Sequence, residues 1–138
     1  MKKVLLILGV LALVLGASSL SAATNWHGKF WGDSEGIWKG TLYDNEQDPP
    51  IFKGKWACEE TAEEGTLYAV LDYAGHGIFK IVKGTIYDIN GNLIGAWDGY
   101  FDQNIKPGYA EGEWKTFDDP DAIHYGKWQG KRILFEEE

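Results

Sequence analysis

The feature that most restricts this chain is a glycine followed two residues later by a large aromatic ring. It recurs at Gly28, Gly36, Gly54, Gly77, Gly95, Gly99, Gly112 and Gly126, and four of the eight extend to Gly-x-aromatic-x-Gly. A spacing of two puts the glycine and the ring on the same face of a β-strand. The intervening residues are largely polar, as in Lys53/Lys55, Glu111/Glu113/Lys115 and Lys127/Gln129/Lys131. That alternation belongs to a sheet with one buried and one wet face. Helix-period stretches are absent.

A duplication organises the middle of the chain. Lys39-Gly40-Thr41-Leu42-Tyr43-Asp44 returns as Lys83-Gly84-Thr85-Ile86-Tyr87-Asp88, and each copy is followed by a turn and a Gly-x-Trp, at Gly54 and Gly95. Residues 37–58 and 81–101 are thus two copies of one hairpin. In the second, Asn90-Gly91 signals a two-residue type I′ turn. Centring the turn there sets Gly84 opposite Trp97, Ile86 opposite Gly95, Val82 opposite Gly99 and Lys83 opposite Asp98. The same logic places Gly40 opposite Trp56 and Leu42 opposite Gly54 in the first copy, across a longer loop holding Pro49-Pro50. Near the C-terminus, Gly112 facing Trp128 requires Trp114 to face Gly126 and Glu113 to face Lys127. Between these hairpins Gly95 can face Trp114 and Phe101 face Gly108, at the cost of a like-charge pair, Asp98 with Glu111.

About eight strands follow, near 26–32, 36–44, 51–58, 65–73, 77–88, 93–101, 108–115 and 123–132. The fifth changes phase, since Gly77-Ile78-Phe79 puts odd positions inside and the repeat puts even ones there; a bulge between Phe79 and Val82 resolves it. Each glycine in a strand interior costs about 0.5–1 kcal/mol relative to Ala, so their number needs a cause. A tightly curved sheet supplies one, because small and large inward residues then alternate to fit the taper. The expectation is an all-β fold: eight antiparallel strands in a meander, closed as a small up-and-down barrel or strongly rolled sheet with a Gly/Trp inner face. A β-sandwich is the alternative. Gly40, Trp56, Gly84, Trp97, Gly112, Trp114, Gly126 and Trp128 form the structural core, joined by Trp26, Phe30, Trp38, Phe52 and Phe101. Six Trp in so small an interior predict that it is filled, with little room for a large ligand.

The first 23 residues read as a secretory signal peptide: Lys2 and Lys3, an apolar run from Val4 to Leu15, and small residues at Ser21-Ala22-Ala23. The mature domain, 24–138, would begin near Thr24 and end in an acidic tail. The predicted compartment is periplasmic or extracellular. Loss of the two signal lysines would take the net charge from −8 to −10, which argues against nucleic acid and anionic lipid headgroups as partners. Apart from a signal left uncleaved as an anchor, nothing reads as a membrane helix. A transmembrane barrel is disfavoured, the predicted strands being short of the usual length of about 9–11 residues. Cys58 is the single cysteine, so no internal disulfide or zinc pattern arises; it reads as a buried apolar residue.

Two family resemblances are local. Tyr109-x-x-Gly112-x-Trp114 and Tyr125-Gly126-x-Trp128-x-Gly130 resemble fragments of MORN hairpin repeats, but, Gly99 aside, successive motifs from Gly36 onward are spaced 18, 23, 18, 17 and 14 residues apart instead of holding one period. Gly36-x-Trp38 resembles the first-strand signature of lipocalin- and avidin-like barrels, yet a pattern seen eight times does not mark a unique first strand. Neither resemblance implies an activity.

Candidate chemistry is sparse. His27, His76 and His124 lie far apart in sequence with no metal-type pair among them, so no metal or other cofactor is expected. The carboxylates gather in loops: Asp44/Glu46/Asp48, Glu59/Glu60/Glu63/Glu64 and Asp118/Asp119/Asp121. Asp88-x-Asn90-Gly91 is a truncated echo of a calcium loop. No pair is set apart as a glycosidase dyad, and neither a Ser/His/Asp order nor a phosphate loop is evident, so an enzyme is not expected. Trp31, Tyr43, Tyr87, Tyr100, Tyr109 and Tyr125 fall on the outer, lysine-bearing face. They read either as ordinary strand chemistry or as a binding face for a glycan or envelope protein. The leading expectation is a secreted or periplasmic, non-enzymatic β module of envelope interaction or structure. A small-ligand carrier with its pocket at a barrel mouth is the alternative.

Overall fold

The computed structural model describes residues 23–44 and 49–134, with Asp118 and Asp119 described by backbone alone. Residues 1–22, which hold nearly all of the expected signal peptide 1–23, residues 45–48, and residues 135–138 of the expected acidic tail lie outside the described residues. Eight antiparallel strands follow one another: β1 (Ala23–Gly32), β2 (Gly36–Tyr43), β3 (Ile51–Cys58), β4 (Glu64–Gly75), β5 (Ile78–Asp88), β6 (Leu93–Asp102), β7 (Tyr109–Asp119) and β8 (Ala122–Ile133). β8 pairs back onto β1, from Asn25↔Ile133 to Gly32↔Gly126, so the sheet closes as an up-and-down barrel. Closure leaves no unpaired sheet edge, and the sandwich alternative falls away. The strands run to 8–12 residues, so the length argument against a membrane barrel does not hold for the folded chain.

Six inner tryptophans each face a glycine directly across a strand pair; Trp26, opposite Gly40, turns its Nε1–H to Thr24 Oγ1. Trp38 faces Gly28, Trp56 faces Gly65, Trp97 faces Gly84, and in the last hairpin Trp128 faces Gly112 and Trp114 faces Gly126. In each of these five the Nε1–H reaches a carbonyl on the strand beyond; four of the indoles cross the glycine they face, and the Trp38 ring lies on Gly130. Trp38 donates to Gln129 O (3.2 Å), Trp56 to Tyr87 O (3.0 Å), Trp97 to Tyr68 O (3.1 Å), Trp114 to Trp31 O (3.1 Å) and Trp128 to Asp98 O (2.8 Å). A strand carbonyl has two lone pairs, so it can hold a ladder bond and an indole donor together. A side chain on the bridged strand would block the ring: a Cβ on Gly126 would lie 2.8 Å from Trp114 Nε1, and one on Gly84 2.8 Å from Trp97 Cδ1.

Two of the expected strand pairings slip by two residues, which preserves the inner face while changing partners. In the first hairpin Gly40 faces Gly54 and Leu42 faces Phe52, with Trp38 opposite Trp56. The two hairpin copies therefore differ in register. Phe52 explains the slip, since its ring covers both glycines and would meet a Cβ on Gly40 or Gly54. Between β6 and β7, Trp97 faces Trp114, Gly99 faces Gly112 and Phe101 faces Ala110; the like-charge pair is Asp98 with Glu113.

The second hairpin keeps the expected pairs Gly84↔Trp97 and Ile86↔Gly95 but reaches them by another turn. Asp88 N–H donates to Asn92 O and Gly91 N–H to Asp88 O, with Gly91 at φ +87° and Asn90 at negative φ. This is a three-residue loop in place of the type I′ turn. Tyr87 then pairs with Leu93, and Ile94 is the extra residue that restores register at Gly95. The bulge turns Ile94 inward, where it is buried. A second bulge, expected just upstream, falls at Val82: Lys83 and Ile81 pair with Val70 and Leu71 while Val82 is passed over and exposed. Val82 and Lys83 consequently do not take Gly99 and Asp98 as partners.

A Gly126→Ala substitution should destabilise the barrel by about 1–3 kcal/mol, because the new Cβ meets the Trp31 carbonyl as well as the Trp114 indole. Chemical denaturation monitored by Trp fluorescence checks this; an unchanged midpoint would place the glycine elsewhere.

Candidate functional site

The two ends of the barrel are built differently. At the end where β1 begins and β8 finishes, Trp26, Leu42, Phe52, Ala69, Leu71, Phe79, Phe101 and Ala110 are all essentially buried. Phe101 stacks on Phe52 at 5.0 Å and meets Trp26 edge-on at the same separation, and Trp26 Nε1 donates to buried Thr24 Oγ1. These side chains plug that end. Next comes a layer of Trp38, Trp97 and Trp128, with Trp128 5.4 Å from Trp38 and 5.2 Å from Trp97, both edge to face.

Beyond that layer the barrel is hollow. A cavity of about 780 Å³ opens between the loops β1–β2, β3–β4, β5–β6 and β7–β8. Trp38, Trp97 and Trp128 form its floor, and Phe30, Trp56, Leu67, Ile86, Ile94 and Trp114 its wall. The expectation of a filled interior is therefore corrected. Counting tryptophans as volume overlooked that, above the floor, Trp56 and Trp114 lie across Gly65 and Gly126 and keep to the wall. The rim carries Asp33, Ser34, Cys58, Glu63, Glu64, Asp88, Thr116 and His124.

Several rim groups are held by their own loops. Asp33 Oδ2 accepts Tyr125 N–H at 2.9 Å and lies 4.0 Å from His124 Nδ1, tying β1–β2 to β8. Asp88 Oδ1 accepts the amides of Asn90 and Asn92, both at 2.9 Å. Those amide bonds, the Asn92 one foremost, hold its carboxyl below the usual carboxylate range. Cys58, read from sequence as a buried apolar residue, is half-buried at the rim. Desolvation, reinforced by the charges of Glu63 and Glu60 against an opposing hydrogen bond from Thr61, pushes its thiol up. Every buried side-chain nitrogen and oxygen among the described residues has a hydrogen-bond partner. In the cavity wall Phe30, Leu67, Ile86 and Ile94 carry no polar side-chain atom, and Trp56 and Trp114 spend their indole N–H on Tyr87 O and Trp31 O.

The outer aromatics do not gather into one face. Trp31 and Tyr43 sit at opposite ends of neighbouring strands, Tyr87 stands across the barrel on β5, and Tyr125 lies exposed on β8. Residues alternating outward on a closed barrel are spread around its circumference. Tyr100 and Tyr109 are brought together by hydrogen bonds, both donating to Glu111 (2.9 and 2.7 Å), while Gln129 Nε2 donates to the Tyr109 hydroxyl at 3.0 Å, and Trp31 and Tyr125 are diagonal neighbours across β1 and β8. The three histidines remain apart, on β1, at the β4–β5 turn and on β8. Among the described residues no three metal-ligating side chains converge.

The lining that sequence reading overlooked includes Leu67, Ile86, Ile94, Thr116 and Cys58. One signal was available: Cys58, Thr116 and His124 all fall on the inner phase at the same end, where a filled barrel would carry apolar side chains. Comparison of the chain with protein-family models, with curated proteins and with solved structures finds no match in any of the three.

The tyrosine pair yields a pH prediction. Desolvation, then the hydrogen bond and charge of Glu111, push Tyr100 up to about 12 from the ordinary value near 10. A raised folded-state pKa contributes stability in full below the unfolded value and loses it as pH rises through the folded one. Spectrophotometric titration should show one late phenol near 12, absent in Tyr100→Phe; a single wave near 10 in both proteins would contradict the pairing.

Proposed function

We propose that this chain is a non-catalytic binding protein that carries one small ligand, with an apolar or aromatic body, in the open cup of the barrel. The observation that carries the reading is the cavity of about 780 Å³ between a plugged end and an open one. An eight-stranded barrel is just wide enough either to be filled by side chains or to hold one small ligand, and here it does the first at one end and the second at the other. The volume falls within the common range for ligand sites, about 300–1,000 Å³, which are mostly apolar with a few polar groups at defined places. A hydrogen-bonding group on the ligand has side-chain partners only at the rim.

The signal-like first 23 residues support export before binding. Lysines and acids stand outward along the middle of the strands, as with Lys39, Lys53, Lys55, Glu113 and Lys127. That surface suits water and not a lipid-facing band. A glycan or envelope partner on the outer aromatics is supported less well, because those rings share no face and two of them are already bonded to Glu111.

The test fills the cup. Leu67 and Ile86 face each other across β4 and β5, and the barrel already accommodates facing tryptophans at Trp38↔Trp56 and Trp97↔Trp114. N-phenyl-1-naphthylamine, a neutral probe that brightens in apolar sites, should bind saturably to the native chain. The Leu67→Trp/Ile86→Trp double variant should bind at least about tenfold more weakly, a loss of roughly 1.4 kcal/mol. Changing Trp31, Tyr43 and Tyr87 to Ala should leave probe binding unaltered. Binding that survives filling, or that is lost with the outer triple change, would sink the proposal.

A further inference from the structure

The carrier reading leaves open which ligand the cup takes, and the inference that follows rests on that reading. Six aromatic rings line the cavity, and five of them are tryptophans whose single N–H is spent on a strand carbonyl. An indole has no other donor. What the rings offer a ligand is π surface, whose quadrupole is negative over the face and attracts cations. An anion would need donors or a basic side chain in the wall. The lining contains no lysine and no arginine, although the chain has 13 of them, and its histidine, His124, stands at the rim beside Asp33.

The rim adds to the same preference. Asp33, Glu63, Glu64 and Asp88 enter the lining from the β1–β2 loop, the β3–β4 loop, the start of β4 and the end of β5, so they stand around the mouth and not on one loop. The Asp88 carboxylate is kept ionised by its loop amides. A cation passing into the cup thus meets opposite charge at the mouth and aromatic surface within, while an anion meets repulsion followed by a wall without donors.

We propose that the cup is selective for an organic cation, an ammonium or quaternary ammonium head on an apolar or aromatic body. The ligand is defined by that chemistry: an aromatic-walled cavity with an anionic rim and neither lysine nor arginine in its lining.

Three probes with one body and different heads test the inference: 4-phenylbutyl-trimethylammonium, 4-phenylbutanol and 4-phenylbutyrate, each titrated against bound N-phenyl-1-naphthylamine. The cation should displace it about tenfold more tightly than the alcohol, and the carboxylate most weakly. Raising the salt from about 0.05 to about 0.5 M should weaken the cation alone. In Glu63→Gln/Glu64→Gln the cation's advantage over the alcohol should shrink severalfold while the alcohol's affinity stays unchanged; the salt series gives an independent reading if that variant folds poorly. Equal or tighter binding of the alcohol or the carboxylate would overturn the cation preference and leave the carrier reading standing. Failure of all three probes where naphthylamine binds would overturn it too. Failure of naphthylamine itself would remove both.

Discussion

The contact on which the barrel depends is an indole laid across a glycine, its N–H bonded to a carbonyl two strands away. Five such contacts run around the inner wall. Each couples three consecutive strands, so it resists flattening as well as register slip. A buried hydrogen bond of this kind contributes about 0.5–1.5 kcal/mol net, whereas a buried N–H left unpaired costs about 1–3 kcal/mol. That asymmetry explains why the glycines are tolerated in strand interiors despite their own cost. A side chain at Gly84, Gly112 or Gly126 would lift an indole off its carbonyl.

The same contact accounts for the hollow end. A ring that lies across a glycine takes up about one van der Waals layer, roughly 3.5–4 Å of radius, where a projecting ring would reach toward the barrel axis. At the closed end the geometry differs: Phe52, Phe101 and Trp26 pack on one another across the axis and exclude solvent. Trp38, Trp97 and Trp128 mark the change from one arrangement to the other. The chain thereby makes a rigid base and an open cup from the same residue types. The recognition chemistry we propose follows from it, because using the indole donors in the wall leaves the cup with π surface and the rim carboxylates.

Much of this was written in local pattern. The Gly-x-aromatic spacing identified the strands, their inner face and the eight-stranded meander, and the hairpin β7–β8 matched at Gly112↔Trp128 and Trp114↔Gly126 because its inner and outer pairs both had to agree. Register failed where two solutions share a face. Gly40 opposite Gly54 looks unfavourable until Phe52 is seen to cover both, and that contact is invisible to pairwise matching. The Asn90-Gly91 turn was misread because the Asp88 side chain caps the loop amides and selects a longer turn, after which the Ile94 bulge restores the pairing. The cup was hidden because composition counts rings without saying how they lie. The outer aromatics misled in a related way, since periodicity assigns a residue to a face but not to a position around a closed wall.

Hydrogen exchange at the tryptophan indoles, followed residue by residue by NMR, tests the central contact most directly. Trp38, Trp56, Trp97, Trp114 and Trp128 should exchange as slowly as the strand amides of the barrel, those lining the open cup included, while exposed Trp31 exchanges at the rate of a free indole. Fast exchange at Trp56 and Trp114, matching Trp31, would show that the rings are not bonded to the strands beyond their glycines and would contradict this account of both the closure and the cup.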